Sequence, residues 1–477
     1  MAVFQNNLLA GAGAQSSGGA TYTIDQSIRF NPADSAYMSR TPSGSSSSRK
    51  KWTFSGWFKR GNITPSSSSR FFNVHSDSNN FFISQFQSDD SFNVTAREGG
   101  SEVLKFEPAI RFRDPSAWYH VVMAFDSTNS IGSERFRVYF NGVRNTTALE
   151  TTPSADLELV VLENCLHQIG RDTYSGSTFL FDGYMADLVL LDGTSTDCSS
   201  FGEYSDEGIW RPKDVSGLTF GTNGFYIDGR DSADLGDDES GQGNDFTTSG
   251  LGAHDQMADS PSNNFCTPNP LDNYYCACTF SNGNMIVDTS NTPYSYFTTT
   301  QKIPTSGKWY AECRAYETTG HMLLGIAQEP AQNNQHYLGH YSTNYAYYNY
   351  NGKSITGTTQ STYGNTYTNG DIIGIAVDMD NNKLYFSKNG TFQNSGAPTS
   401  GSTGTGAISI TGGVDYFYAG SDYGSGSASD FRWNFGQDPT FSDGVTAGGN
   451  SDSNGIGNFK YSVPSGYLAL CTKNLGS

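Results

Sequence analysis

Residues 371–390 read DIIGIAVDMDNNKLYFSKNG. Ile373, Ile375 and Val377 alternate with Gly374, Ala376 and Asp378. After the polar Asp380-Asn381-Asn382, Leu384 and Phe386 alternate with Lys383, Tyr385 and Ser387. A period of two on both sides of a turn predicts a β-hairpin with one face buried. Two strands are not stable alone in water, so a sheet must continue on either side. The pattern recurs earlier, where WYHVVMAFD (Trp118 to Asp126) runs through a polar loop into RFRVYFNG (Arg135 to Gly142). Both pairs close a hydrophobic strand with an acidic residue, then carry Tyr-Phe on the second strand with Asn-Gly close behind. The chain is therefore expected to be all-β, with two tandem β-sandwich domains.

Composition agrees with many short strands and turns. Of 477 residues, 35% are hydrophobic and 14% aromatic, while Gly, Ser, Thr and Asn fill the gaps between short apolar runs. A formal charge of −19 argues against a nucleic-acid partner, which would need clustered Lys and Arg. The one basic cluster, Arg49-Lys50-Lys51 extended by Lys59-Arg60, reads as a solvated strand edge. Seven cysteines, spread thinly, do not describe a disulfide framework, and Cys276-Ala277-Cys278 lacks the spacing of a zinc pair. Reduced thiols made in a cytoplasm are expected. The start of the sequence has no charged n-region, and no apolar run reaches membrane-spanning length, so membrane insertion and a signal peptide are not expected.

Four segments follow in order. Residues 1–20 form a short apolar arm (Val3, Phe4, Leu8, Leu9) trailing into Gly, Ala and Ser; an arm docked on something else is expected, since chain ends otherwise tend to disorder. Residues 21–203 are dense in strand signals. FSGWFKR, WYHVVMAFD, FRVYFNG, HQIGR and FDGYMADLVLLDG succeed one another there. That succession resembles the laminin-G-type, concanavalin A-like jelly roll, which hosts lectins, adhesion modules and glycanases alike. Residues 204–277 are rich in Gly, Asp and Asn and read as a connector pinned by a few aromatics. In residues 278–477, SGKWYAEC, LLGIA, GDIIGIAVD, LYFSKNG and WNFGQ resemble a SPRY domain, also a β-sandwich. The order of the two domains, the connector with SFGE, GTNGFYI, SGQGNDF and DSPSNN, and the opening MAVFQNNLLAGAGAQ together resemble structural proteins of tailed phages, especially marine ones.

Catalytic chemistry is hard to find. Concanavalin A-like glycanases carry their carboxylates on alternate residues of one strand, and no such run is present; Glu102, Glu107 and Glu134 are isolated. His336 and His340 are four apart in a tyrosine-rich strand or loop, where they would not share a helix face for a metal. Cys165, near His167, reads as a small core residue. Asp231, Asp234, Asp237, Asp238 and Glu239 lack the ligand spacing of an EF-hand. No cofactor is expected; calcium at a domain rim is open, as the laminin-G resemblance implies, without a located site.

Binding is left. Tyr337, Tyr341, Tyr345, Tyr347, Tyr348 and Tyr350 are interleaved with Asn344, Asn349 and Asn351, side chains suited to sugar recognition by stacking and hydrogen bonding. The candidate ligand residues are Tyr337, Tyr341, Asn344, Tyr345 and Tyr347; alternate tyrosines packing a core and a rim is the competing account. The SPRY resemblance implies a ligand surface in the loops around 329–345. The phage resemblance implies a non-enzymatic virion protein, a tail fibre or related appendage attaching to a host-surface glycan or protein. Residues Val3, Phe4, Leu8 and Leu9 would dock to other virion proteins, and a homo-oligomer, trimeric as fibres commonly are, would display the domains. A head decoration protein without host ligand and a glycan depolymerase are the alternatives.

Overall fold

The computed structural model describes residues 22–173, 178–274, 278–289, 294–318, 321–328, 336–424, 428–442 and 444–476. The expected docking residues Val3, Phe4, Leu8 and Leu9 lie outside them. The chain divides into two compact units with the boundary between Asn264 and Phe265. Both are built from sheets packed face to face, antiparallel except where Leu468–Ala469 runs parallel to Lys308–Thr318.

In the first unit, the strand Lys51–Arg60 lies between Trp118–Asp126 and Gly183–Asp192 in the middle of an eight-stranded sheet. Trp52, Phe54 and Phe58 point from it into the core and meet the second eight-stranded sheet, where Phe54 stacks on Phe72 at 4.6 Å between ring centroids. Being central, the strand carries buried charge: Lys59 and Arg60 are not part of a solvated edge as their sequence suggested. Arg60 pairs with Asp90 at 3.0 Å, both side chains enclosed.

The stretch expected to be a connector contributes short strands to the first unit's sheets. Phe225–Ile227 pairs with Gly183–Asp192, Thr247–Ser249 with Tyr37–Arg40, and Gln256–Met257 with Ser27–Phe30. Its acidic residues serve turns. Asp238, buried, accepts from the backbone N–H groups of Tyr226 (2.8 Å), Ser240 (3.0 Å) and Asn244 (2.8 Å), while Asp231 and Asp234 each accept from the N–H two residues on. Sparse apolar residues hid these strands because each is only two or three residues long.

The second unit begins before the expected 278, since Pro268–Tyr274 already pairs with Tyr296–Thr299. Among the described residues its two large sheets have seven and nine strands, and Asn450–Ser451 pairs with Asn458–Phe459 in a further two-stranded sheet. The hairpin read first from sequence joins Ile372–Asp378 to Lys383–Lys388, with Ile375 opposite Phe386 and Val377 opposite Leu384. Asp378 accepts from Asn381 N–H at 3.0 Å and so shapes the turn. The Asn-Gly pairs that follow Phe136–Phe140 and Lys383–Lys388 make tight hairpin turns, with φ of 47° and 80° at Asn141-Gly142 and 48° and 79° at Asn389-Gly390. Unlike the expectation, both faces of the Ile372–Asp378 strand are buried. The C-terminal segment lies over the outer face of this sheet: Phe459 packs on Tyr310, and Glu312 accepts from the N–H groups of Lys460 (2.8 Å) and Tyr461 (2.9 Å).

Candidate functional site: an open aromatic face

The strand Asn344–Tyr348 runs inside the seven-stranded sheet, between Met322–Ala327 and Lys353–Thr356. Side chains alternate across a sheet, so its tyrosines part company. Tyr345 and Tyr347 enter the core. Tyr347 packs against Phe386, Tyr363 and Tyr367 at 5.1 to 5.5 Å, and its hydroxyl is satisfied by the Asn365 carbonyl. Tyr345 hydroxyl accepts from Thr411 N–H at 3.2 Å. These two expected ligand residues are therefore structural, because their rings are enclosed between the sheets. Asn344 is on the outer side but buried, its Oδ1 accepting from Thr343 Oγ1 at 3.3 Å.

Tyr348, one residue along, emerges on the outer face and begins a continuous aromatic surface. Tyr423 packs edge-on against Tyr337 at 4.2 Å and lies 6.1 Å from Tyr348 and 5.8 Å from Tyr294. His321 lies 4.9 Å from Tyr350 and hydrogen-bonds through Nδ1 to Tyr348 hydroxyl. On the other side of Tyr337, His340 at 5.5 Å leads to Tyr341 at 4.9 Å. Tyr350, Tyr341 and Tyr423 are 68%, 39% and 38% exposed, and the others are partly covered except for buried Tyr348. Of the expected residues, Tyr337 and Tyr341 are brought together here. Tyr294, Tyr423 and His321 were not found from sequence because each comes from a different segment and carries no local motif.

Asp422 holds these segments in place. Buried, it accepts from His321 N–H (3.2 Å), Gly424 N–H (2.8 Å), Ser429 Oγ (2.9 Å) and Thr289 Oγ1 (3.3 Å), so one carboxylate ties the bases of three segments flanking the face. Underneath, Tyr296, Leu323, Ala346, Ile355 and Ala419 form an apolar floor. Burial and neighbouring phenols raise the Tyr337 and Tyr348 hydroxyls above their ordinary range, so both stay neutral donors. Burial, then His336, lowers His340 and favours its neutral form. The surface thus offers ring faces, phenol hydroxyls and imidazole nitrogens.

Other groups that could carry chemistry are stacked, buried or paired with neighbours. His336 and His340 stack with centroids 3.6 Å apart and planes 5° apart. Imidazole lone pairs lie in the ring plane, so parallel stacked rings do not converge on one ion. Among the described residues no cluster of three or more His, Cys, Asp or Glu is placed to hold a metal. His120 pairs with Ser55 at 2.8 Å, a Ser–His contact, yet both are buried and Trp210 Nε1–H donates to His120 Nδ1 at 3.0 Å. That bond leaves Nε2–H to donate to Ser55, and burial pushes the imidazole down to about 3. Glu102, Glu107 and Glu134 are dispersed and engaged with Thr151, Lys105 and Arg144. Cys165 is a buried thiol pushed up to about 12 by burial, and the six described cysteines are all buried. Among the described residues no helix is long and apolar enough to cross a membrane.

Similar solved structures include the SPRY domain of human HERC1, at 18% identity over 35% of this chain and 96% of that chain, with a TM-score of 0.28. Stonustoxin is similar at 13% identity over 35% of this chain and 27% of that chain (TM-score 0.28). The native heptameric SAP-like pentraxin from Limulus polyphemus is similar at 18% identity over 37% of this chain and 80% of that chain (TM-score 0.26). No curated protein matches the sequence. Residues 33–198 match the concanavalin A-like lectin/glucanases superfamily (Laminin_G_3) and residues 308–408 match the SPRY domain, so the chain carries these two β-sandwich domains in tandem.

Proposed function

We propose that this chain is a non-enzymatic attachment protein whose SPRY domain binds a saccharide on its open aromatic face. The observation that carries the proposal is the set of six tyrosines and three histidines gathered on one partly open sheet face. Sugars present axial C–H groups to ring faces and hydroxyls to phenols and imidazoles, and both are available there. The domain order and the motifs around it support a place on a tailed-phage particle, as a tail fibre or related appendage meeting the host surface. Docking through Val3, Phe4, Leu8 and Leu9, and trimeric display, belong to the same proposal. Many copies on one particle turn a weak contact into firm attachment.

The test is binding of the full-length protein to host cells and to a glycan array, beside Tyr337→Ala and Tyr423→Ala variants. Saturable binding weakened at least tenfold in both variants is expected. A chemically shortened glycan would replace attachment by depolymerisation. No binding, with the protein still adding to particles that lack it, would leave a decoration protein.

A further inference from the structure

The motif Asp259-Ser260-Pro261-Ser262-Asn263-Asn264 plays no part in the aromatic face. It forms a tight turn, Ser260 N–H donating to Asn263 carbonyl at 3.1 Å and Asn263 N–H to Ser260 carbonyl at 3.0 Å. Ser260 Oγ donates to Ile24 carbonyl at 2.6 Å, and Ile24 N–H donates to Ser262 Oγ at 3.0 Å, which fixes the turn on the first unit. So held, it aims two side chains at one amine. Lys59 Nζ donates to Asp259 Oδ2 at 2.6 Å and to Asn264 Oδ1 at 2.7 Å. Trp118 Nε1–H donates to the other Asp259 oxygen at 3.1 Å, and Asn264 Nδ2 donates to Ser116 carbonyl at 2.6 Å. Tyr184 lies beside the group, its ring centroid 5.7 Å from Nζ. Lys59, Asp259 and Asn264 are 1%, 0% and 4% exposed.

An ammonium and a carboxylate enclosed this way are costly to keep charged. Proton transfer from the amine to the carboxylate removes both charges and leaves a neutral amine against the Asn264 amide. We infer that Lys59 and Asn264 become joined by an intramolecular isopeptide bond, with Asp259 carrying the proton. Asp259 takes one proton from the Lys59 ammonium, leaving a neutral amine. Nζ attacks Asn264 Cγ, which is one bond beyond the oxygen it already touches. A second Nζ proton passes to Nδ2, the Cγ–Nδ2 bond breaks and ammonia leaves. One proton stays on the new amide nitrogen, and Asp259 ends as a neutral carboxyl. No oxidant or further reactant is needed. Holding the amine and amide in contact makes the step unimolecular, and burial keeps water from competing. The bond ties the last residue of the first unit to the middle strand of its sheet.

The experiment is intact mass and tryptic peptide mapping of the denatured full-length protein. A mass short by one ammonia, with a branched peptide joining Lys59 to Asn264 and no tryptic cut after Lys59, is expected. Asp259→Asn should restore the full mass and the linear peptides. Full mass in the unsubstituted protein, with Lys59 cut normally, overturns the inference and leaves an ion pair. Ammonia loss with Lys59 and Asn264 both in linear peptides also overturns it, because a succinimide at any of the Asn-Gly pairs, such as Asn141-Gly142 or Asn389-Gly390, gives the same mass change. The unsubstituted protein decides the matter even if Asp259→Asn does not fold.

Discussion

The outer face of the sheet holding Lys51–Arg60 and that of the sheet holding Asn344–Tyr348 are both rich in aromatics, and they meet opposite fates. On the first, Trp57, Trp118, Tyr139 and Tyr184 are covered by Phe201, Trp210, Phe220 and Tyr226 from the segment that follows. Trp210 closes over His120, which itself stacks on Trp57 at 4.5 Å. On the second, Tyr337, Tyr341, Tyr350 and Tyr423 stay at least partly open. Aromatic content alone therefore does not mark a binding surface; what matters is whether the chain covers it. The outer face of the nine-stranded sheet, covered by the C-terminal segment, sides with the first.

The sharpest way to break this comparison is to remove an enclosed ring from each unit. Trp210→Ala and Tyr347→Ala should each destabilise their own unit by about 3–5 kcal/mol, read as an earlier urea transition, since each leaves a cavity and an unpaired polar partner. An effect on glycan binding without loss of stability in Tyr347→Ala would show that ring to be accessible.

Acid–base behaviour should follow the covered faces next. Asp187, enclosed and accepting from Tyr22 (2.9 Å) and Tyr226 (3.1 Å) hydroxyls, is pushed up to about 7 by burial, and Glu312 under the C-terminal segment likewise to about 7. Both exceed their unfolded values, so the folded state holds the extra proton and stability falls as pH rises from about 4 through 7, by on the order of 2–4 kcal/mol per site. Denaturant midpoints measured from pH 4 to 8 should show this slope, and Asp187→Asn should flatten the part belonging to the first unit.

On the open face the order reverses. Tyr423→Ala or Tyr337→Ala should cost about 2 kcal/mol in saccharide binding, as for an aromatic anchor, with a much smaller change in unfolding. Titration calorimetry beside urea unfolding separates the two. Smallest of all, Tyr350→Ser at the exposed margin should change binding by under about 1 kcal/mol. A larger loss there than at Tyr423 would move the centre of the site outward.

Much of this was legible in the residues. Alternation in Ile373, Ile375 and Val377 and the two Asn-Gly turns determined strands, hairpins and an all-β class, because side-chain period and positive φ are local properties. The motifs around Lys51–Arg60 and Lys308–Thr318 were enough to place the two sandwich domains. The tyrosine-rich stretch supplies a strand of the sheet that carries the open aromatic face, but a strand presents alternate residues to opposite faces, and nothing local says which parity faces the core. Tertiary structure decided that Tyr345 and Tyr347 go in while Tyr348 comes out, that Tyr294, His321 and Tyr423 join it, and that residues 204–264 cover one aromatic face rather than link two domains. It also brought Lys59 to Asp259 and Asn264. Such choices depend on contacts between residues far apart in the chain, which a local pattern does not encode.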